Sequence, residues 1–138
     1  MSRTGGSTSG TVAVLGAGSW GATLAHLLAE KGLAVHLWSH TPENAARLLE
    51  ERTLPGKLPG FQLSRAVTVG HRLDQVLAGA TTLVVAVPSR HFRETTVALR
   101  KAVRAREFRE MLTVTATKGF EFGTLKPMTS ILSEELGV

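Results

Sequence analysis

The chain has 138 residues, 43% apolar and 20% charged, which is the length and balance of one globular domain with its own core. It contains no cysteine, which excludes disulfides, thiolate metal sites and cysteine nucleophiles. A formal charge of +5 raises nucleic-acid binding as a class to weigh, while the longest apolar run, Thr82-Leu-Val-Val-Ala-Val87, is far too short to span a bilayer, so a cytoplasmic protein is expected.

Residues 1–10, rich in Gly, Ser and Thr, read as a flexible tail outside the fold. Thr11-Val-Ala-Val-Leu15 is a run of buried-strand type, followed at once by glycines. From Ser19 to Lys31 the apolar residues Trp20, Leu24, Leu27 and Leu28 share one helical face, and Gly32 supplies the stop. Ala34 to Trp38 is a second strand. Thr41-Pro42-Glu43 opens a second helix, with Thr as N-cap, Pro at the first helical position and an acid near the positive end of the dipole. Two Leu-Pro-Gly triplets make residues 53–64 a loop. A short strand over Ala66 to Val69 and a short helix over His71 to Leu77 follow. Thr82 to Val87, the most β-branched run, is expected as a central strand ended by Pro88.

A helix from Ser89 carries Arg90, Arg93, Arg100, Lys101, Arg104, Arg106 and Arg109. Phe92, Thr96, Leu99 and Val103 interleave at helical spacing, so these cations read as a solvated face, and no nucleic-acid partner is expected. Met111 to Ala116 is a fifth strand. Pro127 to Leu136 is a last helix, with Met128, Ile131 and Leu132 facing inward. Alternation of this kind predicts an α/β fold with a mainly parallel sheet and helices on both faces. Strands that read as continuous apolar runs fit a sheet covered on both sides.

Gly16-Ala-Gly18-Ser-Trp-Gly21 has the spacing G-x-G-x-x-G, directly after a strand and opening a helix. In that context Gly16 permits a tight turn, Gly18 lets the backbone approach a pyrophosphate, and Gly21 lets helix and strand pack closely. The fold expected is therefore of the Rossmann type, doubly wound, and the ligand a dinucleotide whose pyrophosphate rests on the N–H groups of a helix start. An NAD-specific domain usually carries an acid at the end of the second strand. Here Trp38-Ser39-His40-Thr41 holds none before Glu43, so Ser39 and His40 beside the adenosine ribose would tolerate a 2′-phosphate, and the cofactor is expected to be NADP or NAD. Pro88 ends the fourth strand and Lys118 follows the fifth, both at the carboxyl edge where open α/β sheets bind ligands. A lysine there can pair with a phosphate or polarise a carbonyl oxygen, and Pro88 suits a wall beside a nicotinamide. His26 and His71 have no second ligand nearby, and His36 and His40 lie on a strand and its turn, so no metal site is expected.

Val14-Leu-Gly-Ala-Gly-Ser-Trp-Gly21, Val35-His-Leu-Trp-Ser-His40, the Leu-Pro-Gly loop, Ala86-Val-Pro-Ser89, Ala116-Thr-Lys-Gly-Phe-Glu121 and Gly123-Thr-Leu-Lys126 occur in this order over nearly the whole chain. Together they resemble the N-terminal domain of bacterial NAD(P)-dependent glycerol-3-phosphate dehydrogenases. The resemblance implies that residues 11–138 form the dinucleotide-binding domain of an enzyme reducing dihydroxyacetone phosphate reversibly to glycerol 3-phosphate for lipid synthesis. It implies that Ser19 and Trp20 contact the cofactor phosphates and adjacent groups, that His40 contacts the adenosine end, and that Lys118 reaches both cofactor and glycerol phosphate. Lys57 departs from the family, where many members have Tyr before Leu-Pro-Gly, which puts an adenine contact there in question. The resemblance also places the catalytic lysine and the phosphate clamp in a helical C-terminal domain that this chain lacks, so the fragment alone is expected to bind cofactor with little turnover. A homodimer is left open for the full enzyme. The competing readings are another two-domain reductase, of the ketopantoate reductase or 6-phosphogluconate dehydrogenase kind, and a stand-alone NAD(P) sensor.

Overall fold

The computed structural model describes residues 10–138; the tail expected at 1–10 lies, apart from Gly10, outside them. Five parallel strands form one sheet in the order β3-β2-β1-β4-β5. They are β1 (Thr11–Leu15), β2 (Ala34–Trp38), β3 (Val67–Gly70), β4 (Ala80–Val85) and β5 (Leu112–Thr115). The β-branched run expected as a central strand, β4, lies inside the sheet between β1 and β5. The order reverses between β1 and β4. In open α/β sheets that switch point leaves a crevice at the carboxyl ends of the strands.

Two cores lie against the two faces. On one, Val12, Val14, Val35, Leu37, Val67, Val69 and Val84 pack under α1 (Ser19–Glu30) and α2 (Pro42–Glu51). On the other, Ala13, Leu15, Leu83 and Val85 pack under α3 (Leu73–Val76), α4 (Phe92–Ala102), α5 (Ala105–Arg109) and α6 (Met128–Leu136). The inward set Phe92, Thr96 and Leu99 on α4 and Val103 just after it is buried as the periodicity predicts, and so are Met128, Ile131 and Leu132 on α6. Among the described residues no helix is long and apolar enough to cross a membrane.

Three expectations need correction. The buried face of α1 is Gly21, Ala22, Ala25 and Ala29, whereas Trp20 and Leu27 are 54% and 50% exposed. The approach of α1 to the Gly16 corner at Gly21 leaves no room even for a methyl group, and the large residues are displaced to the flanks. The stretch after Ser89 is three pieces: a 3-10 turn over Ser89–His91, then α4, then α5 after an extended Val103 (φ −131°, ψ 143°). And β5 is covered on one side only, because Leu112 and Val114 lie on the α1 face beyond the reach of α1 and are 64% and 40% exposed.

Candidate active site at the carboxyl edge

The connections that follow β1, β2, β4 and β5 converge on a cleft of about 800 Å³. Its walls include Gly16 to Trp20, Trp38 to Thr41, Ala86 to Ser89 and Ala116 to Lys118. Of the residues expected in the site, Gly16, Gly18, Ser19, Trp20, Ser39, His40, Pro88 and Lys118 all line it. Gly21 does not; it sits one layer below, where it shapes the corner. No Asp or Glu stands among the described residues lining the cleft, while His40, Arg47, Lys57, His91 and Lys118 do. A second cavity, about 560 Å³, opens at the opposite edge and presents three acids, Asp74, Glu107 and Glu110, against one cation, Arg104. Carboxylates there repel an anionic ligand, so chemistry favours the carboxyl edge.

The glycine corner is held from three sides. Gly16 has φ +115°, which side chains rarely adopt, and its N–H donates to the Trp38 carbonyl at 3.0 Å. A Cβ on Gly16 would lie 2.8 Å from the Ala86 carbonyl oxygen, and one on Gly21 would lie 1.7 Å from the Gly16 carbonyl oxygen. Gly18 differs: it caps α1 with no side-chain hydrogen bond, and nothing lies within 4 Å of the position a Cβ would take. The first-turn N–H groups of α1 thus face a glycine-bare wall of the cleft, and no acid occupies that turn.

At the end of β2, Ser39 is buried and its N–H donates to the Gly70 carbonyl at 2.9 Å. Trp38 is held by its ring N–H on the His71 carbonyl at 2.9 Å. His40 is exposed, its Nε2 3.9 Å from the Glu94 carboxylate of α4. Sequence reasoning missed Asn44 and Arg47 on α2, which line the same end as Lys57. Their spacing of three along α2 was the available signal, since it puts both on one helix face.

Thr117 joins the ends of β4 and β5, its hydroxyl donating to the Val87 carbonyl at 2.6 Å. Lys118 follows, exposed, and then Gly119 at φ +103°. His26 and His36 are used structurally: His26 Nδ1 accepts from the Ser64 N–H at 3.0 Å, and His36 Nδ1 lies 2.9 Å from the Val76 carbonyl.

The arginine row of α4 is not simply a solvated face. Arg93 binds Glu121 through Nε and Nη2 at 2.6 and 2.9 Å, Glu134 at 2.9 Å and Glu135 at 2.8 Å. Arg100 also meets Glu135, at 3.1 Å, and Lys126 meets Glu134. The Arg93 hydrogen bonds, then that of the Thr124 hydroxyl, hold the Glu121 carboxyl at about 2 against an ordinary 4.5. Lys126 and Arg93 hold that of Glu134 low as well. Carboxyls depressed in the folded state contribute stability that is present above the unfolded pKa and lost as pH falls toward the folded one. Stability should therefore fall between about pH 4.5 and pH 2, and Arg93→Gln should flatten that fall, as read by urea unfolding at a series of pH values.

The family profile described as NAD-dependent glycerol-3-phosphate dehydrogenase N-terminus matches residues 11–138. The chain belongs to this family. It is 44% identical over 125 residues to glycerol-3-phosphate dehydrogenase, NAD(P)+, of Chlorobium luteolum, covering 91% of this chain and 36% of that protein. The Lactiplantibacillus plantarum protein of the same name is 38% identical, with 91% and 37% covered. Among solved structures, glycerol-3-phosphate dehydrogenase from Coxiella burnetii superposes with a TM-score of 0.82 at 29% identity, covering 94% of this chain and 38% of that one. The chain spans little more than a third of the length of these relatives.

Proposed function

We propose that residues 11–138 are the dinucleotide-binding domain of an NAD(P)-dependent glycerol-3-phosphate dehydrogenase. One observation carries this: a cleft with no acid among the described residues that line it, at the switch point of the sheet, floored by a helix start whose capping glycine leaves room for a diphosphate. In this reading the backbone at Gly16, Gly18, Ser19 and Trp20 holds the diphosphate, with Gly21 keeping α1 against the corner. Ser39 and His40 flank the adenosine ribose, Pro88 walls the nicotinamide side, and Lys118 serves both cofactor and substrate phosphate. Bound nicotinamide supplies the hydride donor or acceptor. The residues of this chain bind it, orient it and screen one of its faces from water.

The whole protein, on this proposal, reduces dihydroxyacetone phosphate reversibly to glycerol 3-phosphate in the cytoplasm. Membership of the family sets aside the ketopantoate reductase and 6-phosphogluconate dehydrogenase readings. Reaction requires two reactants held in register, and this domain supplies one wall of the crevice. The chain mixed with NADPH and dihydroxyacetone phosphate should therefore bind the nucleotide and oxidise it negligibly. Sustained NADPH consumption by the chain alone overturns the half-site account.

His40 also tests the reading of NADP tolerance. His40→Asp should move the NADPH-to-NADH affinity ratio toward NADH by at least about tenfold, roughly 1.4 kcal/mol, because a carboxylate repels the 2′-phosphate. Taking the ratio cancels any general loosening caused by the nearby Glu94. An unchanged ratio in paired calorimetric titrations removes His40 from the ribose end.

A further inference from the structure

Lys118 stands at the rim of the cleft, exposed, and among the described residues its Nζ makes no ion pair or hydrogen bond. What aims it must therefore act through the backbone on either side. Upstream, Thr117 is tied to the segment after β4 by its hydroxyl on the Val87 carbonyl, and its N–H donates to the Thr115 hydroxyl at 3.2 Å. Downstream comes Gly119, whose φ of +103° makes it the natural hinge.

Beyond that hinge the chain closes on itself. Phe120 bridges Pro127, the Glu121 N–H donates to the Lys126 carbonyl at 2.8 Å, and the Leu125 N–H donates to the Glu121 carbonyl at 2.8 Å. The Thr124 hydroxyl donates to the Glu121 carboxylate at 2.6 Å. Leu125 itself is left-handed, φ 59°, a conformation a leucine keeps only when its surroundings impose it. Residues 120–127 thus behave as one compact unit. Its apolar residues give it little hold on the body of the domain, with Phe120, Phe122 and Leu125 64%, 100% and 74% exposed. Its polar holds are Lys126 on Glu134 of α6 and Glu121, whose carboxylate takes Arg93 as a bidentate partner and ties the loop to α4.

Arg93 is placed for this. It lies in the first turn of α4, directly after the Pro88 to His91 segment that forms the opposite wall of the cleft. Its remaining donors go to Glu134 and Glu135 of α6. A plain staple of α6 onto α4 needs only those two acids, and Met128, Ile131 and Leu132 already bury that contact. The bidentate grip on Glu121 adds something the staple does not require.

We propose that Arg93 is a positioning residue for Lys118: through Glu121 it fixes the 120–127 loop, and so holds the lysine toward the ligand in the cleft. The inference rests on the proposed dinucleotide site, and a four-way comparison tests it. NADPH affinity is measured by calorimetry for the chain, Lys118→Ala, Glu121→Gln and the double variant. Lys118→Ala should weaken binding about tenfold, Glu121→Gln several-fold, and the double variant no further than Lys118→Ala. If Lys118→Ala costs the same factor whether or not Glu121→Gln is present, Glu121 and Arg93 do not position the lysine. Glu121→Gln is chosen because Arg93 keeps Glu134 and Glu135, so the α4–α6 contact survives. Amide exchange of residues 118–126 gives a readout independent of ligand: it should quicken in both Glu121→Gln and Arg93→Gln. Unchanged exchange there overturns the proposal even if the chain binds no NADPH, an outcome that separately defeats the dinucleotide reading.

Discussion

Gly18→Ala and Gly21→Ala, three residues apart in one motif, should fail in opposite ways. The methyl of Gly21→Ala would stand 1.7 Å from the Gly16 carbonyl oxygen, a backbone atom that cannot swing aside. Helix α1 must lift from the sheet, and the cost should be roughly 3 kcal/mol, the upper end for overpacking, with a fall of roughly 10 °C in Tm. Out of a total stability of about 5–15 kcal/mol that is a large share. Gly18, at φ −82° and ψ −168°, already has a backbone any residue adopts, with open space where its Cβ would go. Stability of Gly18→Ala should stay within about 1 kcal/mol of the parent, since reduced freedom in the unfolded chain offsets a poorer cap. Its NADPH affinity should fall at least about tenfold, because the methyl fills the space through which a diphosphate meets the backbone. Thermal unfolding and titration of the two variants decide the point. A Gly18→Ala protein that binds normally would show that the glycine serves folding rather than ligand.

The second large effect is expected at Arg52, which nothing in the sequence marks. It ends α2 in the left-handed conformation, φ 61°, and is 7% exposed. Its Nε donates to the Leu49 carbonyl at 3.0 Å, and its Nη1 to the Ser64 and Val67 carbonyls at 3.1 and 2.7 Å. The Arg52 carbonyl accepts the Leu63 N–H at 2.7 Å, so this residue closes the 53–63 loop at both ends. Arg52→Ala strips three carbonyls of a charged donor and should cost roughly 3 kcal/mol, read as a lower urea midpoint. Because Leu54 and Lys57 of that loop line the cleft, NADPH affinity should weaken too, but by less than in Gly18→Ala. Arg65→Ala, at an exposed neighbour, is the control and should be close to neutral.

The contrast between these sites shows what is legible in a sequence. The glycine corner can be read because its requirements are local: a strand, a turn, a helix start and three residues without side chains. The order of strand and helix is legible for the same reason, since each element carries its own period. Arg52 and Arg93 are not, because their partners stand up to 15 and 42 residues away, and only the folded chain brings them together. Trp20 and Leu27 show a second kind of limit. Their apolar character marks a helical face, but the sheet accepts Ala22, Ala25 and Ala29 because Gly21 brings the backbones too close for leucine. At β5 the apolar pattern signals burial on both sides, and Leu112 and Val114 are open because, among the described residues, no helix crosses that side of the edge strand. In the cleft, the missing acid after β2 was visible and the resemblance drew attention to Lys57, whereas Arg47 was missed, since it comes from a helix outside the motif segments.

Calorimetric titration of this chain with NADPH and with NADH is the most direct test of the central claim that the helix start at Gly18 receives a dinucleotide. Saturable binding of both, abolished or sharply weakened by Gly18→Ala, is the predicted result. A folded chain that gives no binding heat with either nucleotide would contradict it.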